Sequence, residues 1–220
     1  MVEGSILRLF TFRAVRPAFD EILRHQLVPD LSAQAGILDC YSGRQGPDEI
    51  GPRVVASVWL SEAAMLEALG PGIGQGPFHP ELLEETTDRL LEVFPIRLAA
   101  RYDRASTPAP TILRTLRGRV GHGGLVEYIG DVQEGVDADE RAGIGPVALY
   151  VAETATDGFI TMSAWRDWAD VEHATGGDIH QPRATRHREH LLDWDVAHYE
   201  IVQSAIGAAI PGSAGGSARR

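Results

Sequence analysis

Two arginines of the 220-residue chain stand where anion chemistry would start. Arg8 lies in Ile6-Leu-Arg-Leu-Phe10 and Arg114 in Ile112-Leu-Arg-Thr-Leu116. In a strand, residues two apart share a face, so each guanidinium sits on an apolar face and needs a partner there. Either a buried carboxylate supplies it, or a ligand brings an enolate or carboxylate of its own. The second half of the chain adds Tyr150, Trp165, Trp168, His173 and His180, side chains that can stack on a ring or carry a proton. An apolar aromatic pocket holding one basic or hydrogen-bonding group is a setting in which an acidic phenol or enol can be deprotonated. His187 and His190 would share a helical face near Glu189 and Asp193, but the polar residues around them read as solvated surface, and no metal is expected. Cys40 has no cation beside it in sequence and reads as buried and inert.

These groups are organised by a stretch that the chain writes twice. Val55-Ala-Ser-Val-Trp59-Leu-Ser61 and Thr161-Met-Ser-Ala-Trp165-Arg-Asp167 each run from a strand pattern to a Trp and then to a helix N-cap residue, and Gly70 and Gly176 stop the helices that follow. Trp59 and Trp165 are 106 residues apart, as are Arg8 and Arg114. A period of about half the chain means a duplicated domain, since solenoid repeats run to roughly 20–50 residues.

In order, residues 6–13 read as a strand, and a helix opened by Pro17 carries Phe19, Ile22, Leu23 and Leu27 until Pro29 ends or kinks it. Strands at 37–41 and 53–60 flank a Gly/Pro/Asp-rich turn. A helix at 61–69, an acidic helix from Pro80 to about Phe94 and a strand at 96–102 complete the first set. After a linker at 105–110 the pattern restarts, with strands at 111–117, 147–153, 159–165 and 196–202, helices at 125–136 and 167–175, and a polar segment from Pro182. The order βαββαβ is the ferredoxin-like split βαβ unit. The expected fold is therefore α+β, with unit 1–104, linker 105–110, unit 111–204 and a disordered tail at 205–220. Each unit leaves one sheet face bare, and two units in one chain can cover both.

The formal charge of −11 argues against a nucleic-acid or acidic-membrane partner, both of which require clustered positive charge. The chain contains neither Lys nor Asn, which removes lysine Schiff-base chemistry and any catalytic Asn. No apolar run approaches the roughly 20 residues of a membrane span, and Met-Val-Glu-Gly does not look like a secretory signal, so the expected compartment is the cytoplasm.

Pro29-x-Leu31 followed by Ala35-Gly36-Ile37, a hairpin and Val58-Trp59-Leu60-Ser61-Glu62 resembles the antibiotic biosynthesis monooxygenase group of dimeric α/β-barrel proteins. Ser163-Ala-Trp165-Arg-Asp167 repeats the likeness. The resemblance implies tandem ferredoxin-like units forming an intramolecular dimeric α/β-barrel, as a monomeric pseudo-dimer or a homodimer. It also implies cofactor-independent oxygenation of aromatic polyketide-like phenols or enols, with a non-catalytic ligand-binding or stress-related protein and a haem-binding relative as the alternatives. The family's pocket Trp falls on Trp59 and Trp165; its catalytic Asn, four residues earlier, is replaced by Val55 and Thr161. Thr161 keeps a hydrogen-bonding hydroxyl where Val55 has none, so the second half is expected to carry the chemistry. Trp165, Thr161, Arg114 and His173 are the expected catalytic group. Tyr150, Trp168, His180, Trp59 and Arg8 are the expected substrate contacts.

Overall fold

A computed structural model describes residues 4–70, 84–101, 108–121, 124–142, 144–154, 158–183 and 186–206. The first half begins with β1 (Ile6–Ala14). The chain then coils through α1 (Phe19–Ile22), a π-helical turn (Leu23–Leu27) and α2 (Val28–Ser32), and continues with β2 (Ile37–Arg44), β3 (Pro52–Trp59), α3 (Glu62–Leu69) and β4 (Thr86–Arg101). The second half has β5 (Ile112–Val120), α4 (Gly124–Ala142), β6 (Ala148–Glu153), β7 (Gly158–Trp165), α5 (Trp168–Thr175), a 3-10 turn (Arg186–His190) and β8 (Leu191–Ile206).

The eight strands close into one barrel in the order β1-β3-β2-β8-β5-β7-β6-β4. The two 16-residue strands make the closure. β4 pairs with β1 as far as Pro95 and then with β6 from Ile96, while β8 pairs with β5 as far as Glu200 and then crosses to β2. Each half thus ends in a strand that completes the other half's sheet, which gives the expected intramolecular dimeric α/β-barrel.

The inward face holds one apolar cluster that includes Leu7, Leu9, Val54, Val58, Leu113, Ile160 and Met162. The outward faces pack against helices in separate clusters, one around Trp59 and Phe19, the others around Tyr128 and Trp165.

The repeated stretch folds alike in both places. Ile6 pairs with Trp59 and Arg8 with Ser57; Ile112 pairs with Trp165 and Arg114 with Ser163. Each indole N–H donates to the serine two residues earlier, Trp59 to Ser57 Oγ at 2.9 Å and Trp165 to Ser163 Oγ at 2.8 Å. Ser61 and Asp167 cap their helices by accepting from the backbone N–H three residues on.

Two expectations are corrected. The acidic helix expected up to Phe94 is strand β4 over its described part, with residues 80–83 outside the described residues. Barrel closure demands a strand long enough to pair with both β1 and β6, and that demand outweighs local helix propensity. Pro29 does not end its helix, which runs on to Ser32. The π turn immediately before it loosens the ladder where proline has no N–H to give. β8 extends to Ile206, two residues past the expected end of the second unit; residues 102–107, with most of the expected linker, and 207–220 lie outside the described residues. No helix among the described residues is long and apolar enough to cross a membrane.

Candidate functional site

On the second unit's outward face, Arg114 and Leu116 of β5 stand beside Thr161, Ser163 and Trp165 of β7. α4 lies over them with Tyr128, Val132 and Val136. Between these layers is a cavity of about 60 Å³, closed at its side by Pro146, Pro182, Arg183, Arg188 and Leu191. That volume holds a few waters at roughly 10–15 Å³ each and is below the roughly 300 Å³ at which drug-sized ligands begin to fit. A larger ligand requires α4 to part from Pro182, Arg183, Arg188 and Leu191.

Arg114 is the chemical centre of this space. It is 5% exposed, and one Nη donates to the Gln181 carbonyl at 2.6 Å, while its Nε has no partner. No carboxylate among the described residues pairs with it. Burial lowers its pKa to about 10, against a small opposing pull from Tyr128, so the group stays cationic at neutral pH. Thr161 is 7% exposed and its Oγ1 has no partner of hydrogen-bonding geometry. Burial pushes the Tyr128 phenol up to about 12, with Thr161 and Arg114 pulling the other way. The cavity wall thus offers a buried cation and three hydroxyls, of which Ser163 is engaged by Trp165 and the Arg114 carbonyl, and no described lining residue is a carboxylate or an imidazole. Such a set stabilises negative charge on a ligand.

Three of the nine expected site residues meet here: Arg114, Thr161 and Trp165. Trp168 and His180 gather instead around His198, with ring centroids 5.2 and 5.8 Å from it. His198 is the β8 residue opposite Arg114. His173 is exposed on α5. Tyr150 lies on the inward face of the barrel, fully buried, with its hydroxyl donating to Asp39 and Arg101 bridging the same carboxylate. Trp59 and Arg8 occupy the equivalent place in the first unit, where Phe10, Phe19, Leu23, Leu27, Val55 and Met65 belong to one buried cluster between sheet and helix.

The sequence reading missed Tyr128, Ser163, Arg183, Arg188 and His198. Ser163 had a signal, since Ser57 precedes Trp59 by the same two residues. His198 had none, because its place beside Arg114 depends on strand register.

Haem is the one cofactor the resemblance implies. A haem site needs a planar slot and an axial ligand, and among the described lining residues there is no histidine; the His187 side chain lies outside the described set. Burial keeps the one lining phenol, Tyr128, protonated, and a cavity of about 60 Å³ has no room for the macrocycle, so the described lining does not fit haem. Among the described residues no group of three His, Cys, Asp or Glu side chains is placed to hold a metal ion.

No protein-family profile matches the chain, and no curated protein matches it in sequence. Solved structures do match. A protein assigned as a monooxygenase from Lactobacillus acidophilus superposes with a TM-score of 0.67 at 11% identity, over 94% of this chain and 99% of that one. An anthrone oxidase-like protein gives 0.59 at 13% identity, over 94% and 98%. Chlorite dismutase from Candidatus Nitrospira defluvii gives 0.55 at 11% identity, over 90% and 91%. At these identities the likeness establishes the dimeric α/β-barrel fold along nearly the whole chain.

Proposed function

We propose that the second unit is a small-molecule site that binds an aromatic phenol or enol as its anion and promotes its cofactor-independent oxygenation. The observation that carries this reading is Arg114, a buried cation with no acidic partner among the described residues, set in an apolar cavity beside Thr161 and Trp165. The Trp165 indole gives a ring a flat apolar wall, and Arg114 with Thr161 holds the ionised oxygen.

The described residues supply no carboxylate or imidazole base in the cavity, so the substrate's own acidity provides the ionisation. Pairing with Arg114 lowers the substrate pKa, and the proton leaves to solvent. The electron-rich carbon of the anion passes one electron to dioxygen, and the radical pair joins as a carbon-bound peroxide that takes up a proton. Loss of water from that hydroperoxide leaves a new carbonyl. The fold-level likeness to an anthrone oxidase-like protein supports this reaction class by analogy only.

A second reading is a binding protein without turnover, which the small cavity and the absent base favour. Oxygen uptake with a panel of hydroxylated anthrones, quinols and flavonoid-like phenols, with no cofactor added, tests both. Uptake by the wild type that Arg114→Met abolishes supports the enzyme. A thermal shift without uptake leaves the binding protein, and neither response with any compound defeats both readings. Adding haem to the same protein checks the cofactor alternative, since a saturable one-to-one Soret shift would overturn the cofactor-free assignment.

A further inference from the structure

In the first unit, Arg8 is fully buried, and none of its three guanidinium nitrogens has a hydrogen-bond partner. No described carboxylate pairs with it. Its neighbours across the sheet are Val93 on β4 and, through β3, Ser57 and then Cys40 on β2. Ser57 Oγ already accepts the Trp59 N–H at 2.9 Å, and it makes no hydrogen bond to Arg8, so its O–H is available to an anion. Cys40 is fully buried, and burial pushes its thiol up to about 12 even against the pull of Arg8, so it too stands as a weak donor rather than a thiolate. The row Arg8–Ser57–Cys40 therefore brings an O–H and an S–H donor to a cation, and no described group accepts from that cation. The π turn Leu23–Leu27 belongs to the apolar cluster that closes over this row.

A buried charge without a counter-charge is among the most costly arrangements a core can hold. Arg114, at the equivalent place, relieves part of that cost through the Gln181 carbonyl and a cavity; Arg8 has no such carbonyl among the described residues. We propose that the first unit binds a small inorganic monoanion of halide size, occluded against Arg8, Ser57 and Cys40, as a structural counter-ion. One negative charge matches one guanidinium. The complete burial of the residue excludes large organic anions and leaves no route for turnover. The proposal is independent of the reading of the Arg114 cavity.

Bromide tests it in the full-length protein. Crystals soaked in bromide should show an anomalous peak in contact with the Arg8 guanidinium, distinct from any peak at Arg114. In solution, the melting temperature should rise with the logarithm of bromide concentration, relative to gluconate at equal ionic strength. Arg8→Met replaces the cation with an apolar side chain of similar reach; it should fold, lose the peak and lose the bromide-specific rise. The idea is overturned by crystals with no anomalous signal at Arg8, by water or a protein acceptor filling that position, or by a bromide-specific rise that is equal in wild type and Arg8→Met. Should Arg8→Met fail to fold, the crystallographic peak in the wild type decides alone.

Discussion

Arg114 on β5 and His198 on β8 are direct cross-strand partners, and the cation adds to burial in disfavouring the imidazolium. Burial, then Arg114, then His180 lower the His198 pKa to about 4. A histidine held low in the folded state binds fewer protons than in the unfolded chain, whose value is near 6.5. Its contribution to stability is complete above the unfolded value and is lost as pH falls from there through about 4. In NMR titrations the His198 ring should stay neutral until that acid range. Arg114→Met should move its titration upward, because the largest charge acting on the ring is removed. An unchanged His198 titration in that variant would show that burial alone sets it.

The two tryptophans separate packing from ligand contact. Trp59 is fully buried in the core of the first unit, whereas Trp165 lines the cavity. Trp59→Ala should cost about 3–5 kcal/mol by denaturant unfolding, the usual range for a buried aromatic. Trp165→Ala should abolish ligand binding or turnover at a smaller cost in stability, since one side of its ring already faces open space. Equal loss of function in both variants would mean that the first unit also takes part.

Asp39 joins the two halves from inside the barrel. It accepts from Arg101 Nε at 3.0 Å and from the Tyr150 hydroxyl, with Tyr41 close by. Burial, followed by the Asp39 charge, raises the pKa of both phenols, so they remain neutral donors. Asp39→Ala strands a buried guanidinium and should cost about 3–5 kcal/mol. Tyr150→Phe removes the hydroxyl that donates to Asp39 and accepts from Arg101 Nε at 3.2 Å, and should cost at least about 1.5–3 kcal/mol, the range for one hydrogen bond to a charged group. Ligand binding in Tyr150→Phe should equal that of wild type, because the sheet separates this hydroxyl from the cavity.

Tyr150 also shows where sequence reading stops. The 106-residue period, the caps at Ser61 and Asp167 and the match of Arg8 to Arg114 are local signals, and they were enough to place Arg114, Thr161 and Trp165 together. Tyr150 was read as a substrate contact because it lies in the right unit; its inward direction follows from β6 pairing, in which it stands opposite Met162 and Ala99. β4 was read in part as a helix for a similar reason. Its leucines, valine and phenylalanine at 90, 91, 93 and 94 satisfy a helical spacing as well as a strand's, and only the need to pair with both β1 and β6 decides between them. Whether α4 leaves room above Arg114 depends on packing that no periodicity encodes.

The exchange of terminal strands makes a further demand on the isolated first half. Within residues 1–104, β4 would lose β6 as its partner from Ile96 to Arg101, and β2 would lose β8. The inward side chains Leu7, Leu9, Tyr41, Val54 and Val58 would face solvent. Asp39 would keep Arg101 but lose Tyr150. An apolar sheet face of this extent is an association surface, and two free strand edges add a template for pairing. Expressed alone, residues 1–104 should therefore form a homodimer that rebuilds the eight-strand barrel, or aggregate. Size-exclusion chromatography with light scattering distinguishes the forms, and a mass twice that of the half-chain is the expected result. A soluble monomer with a cooperative unfolding transition would mean that the first half is self-sufficient and that the barrel does not hold it together.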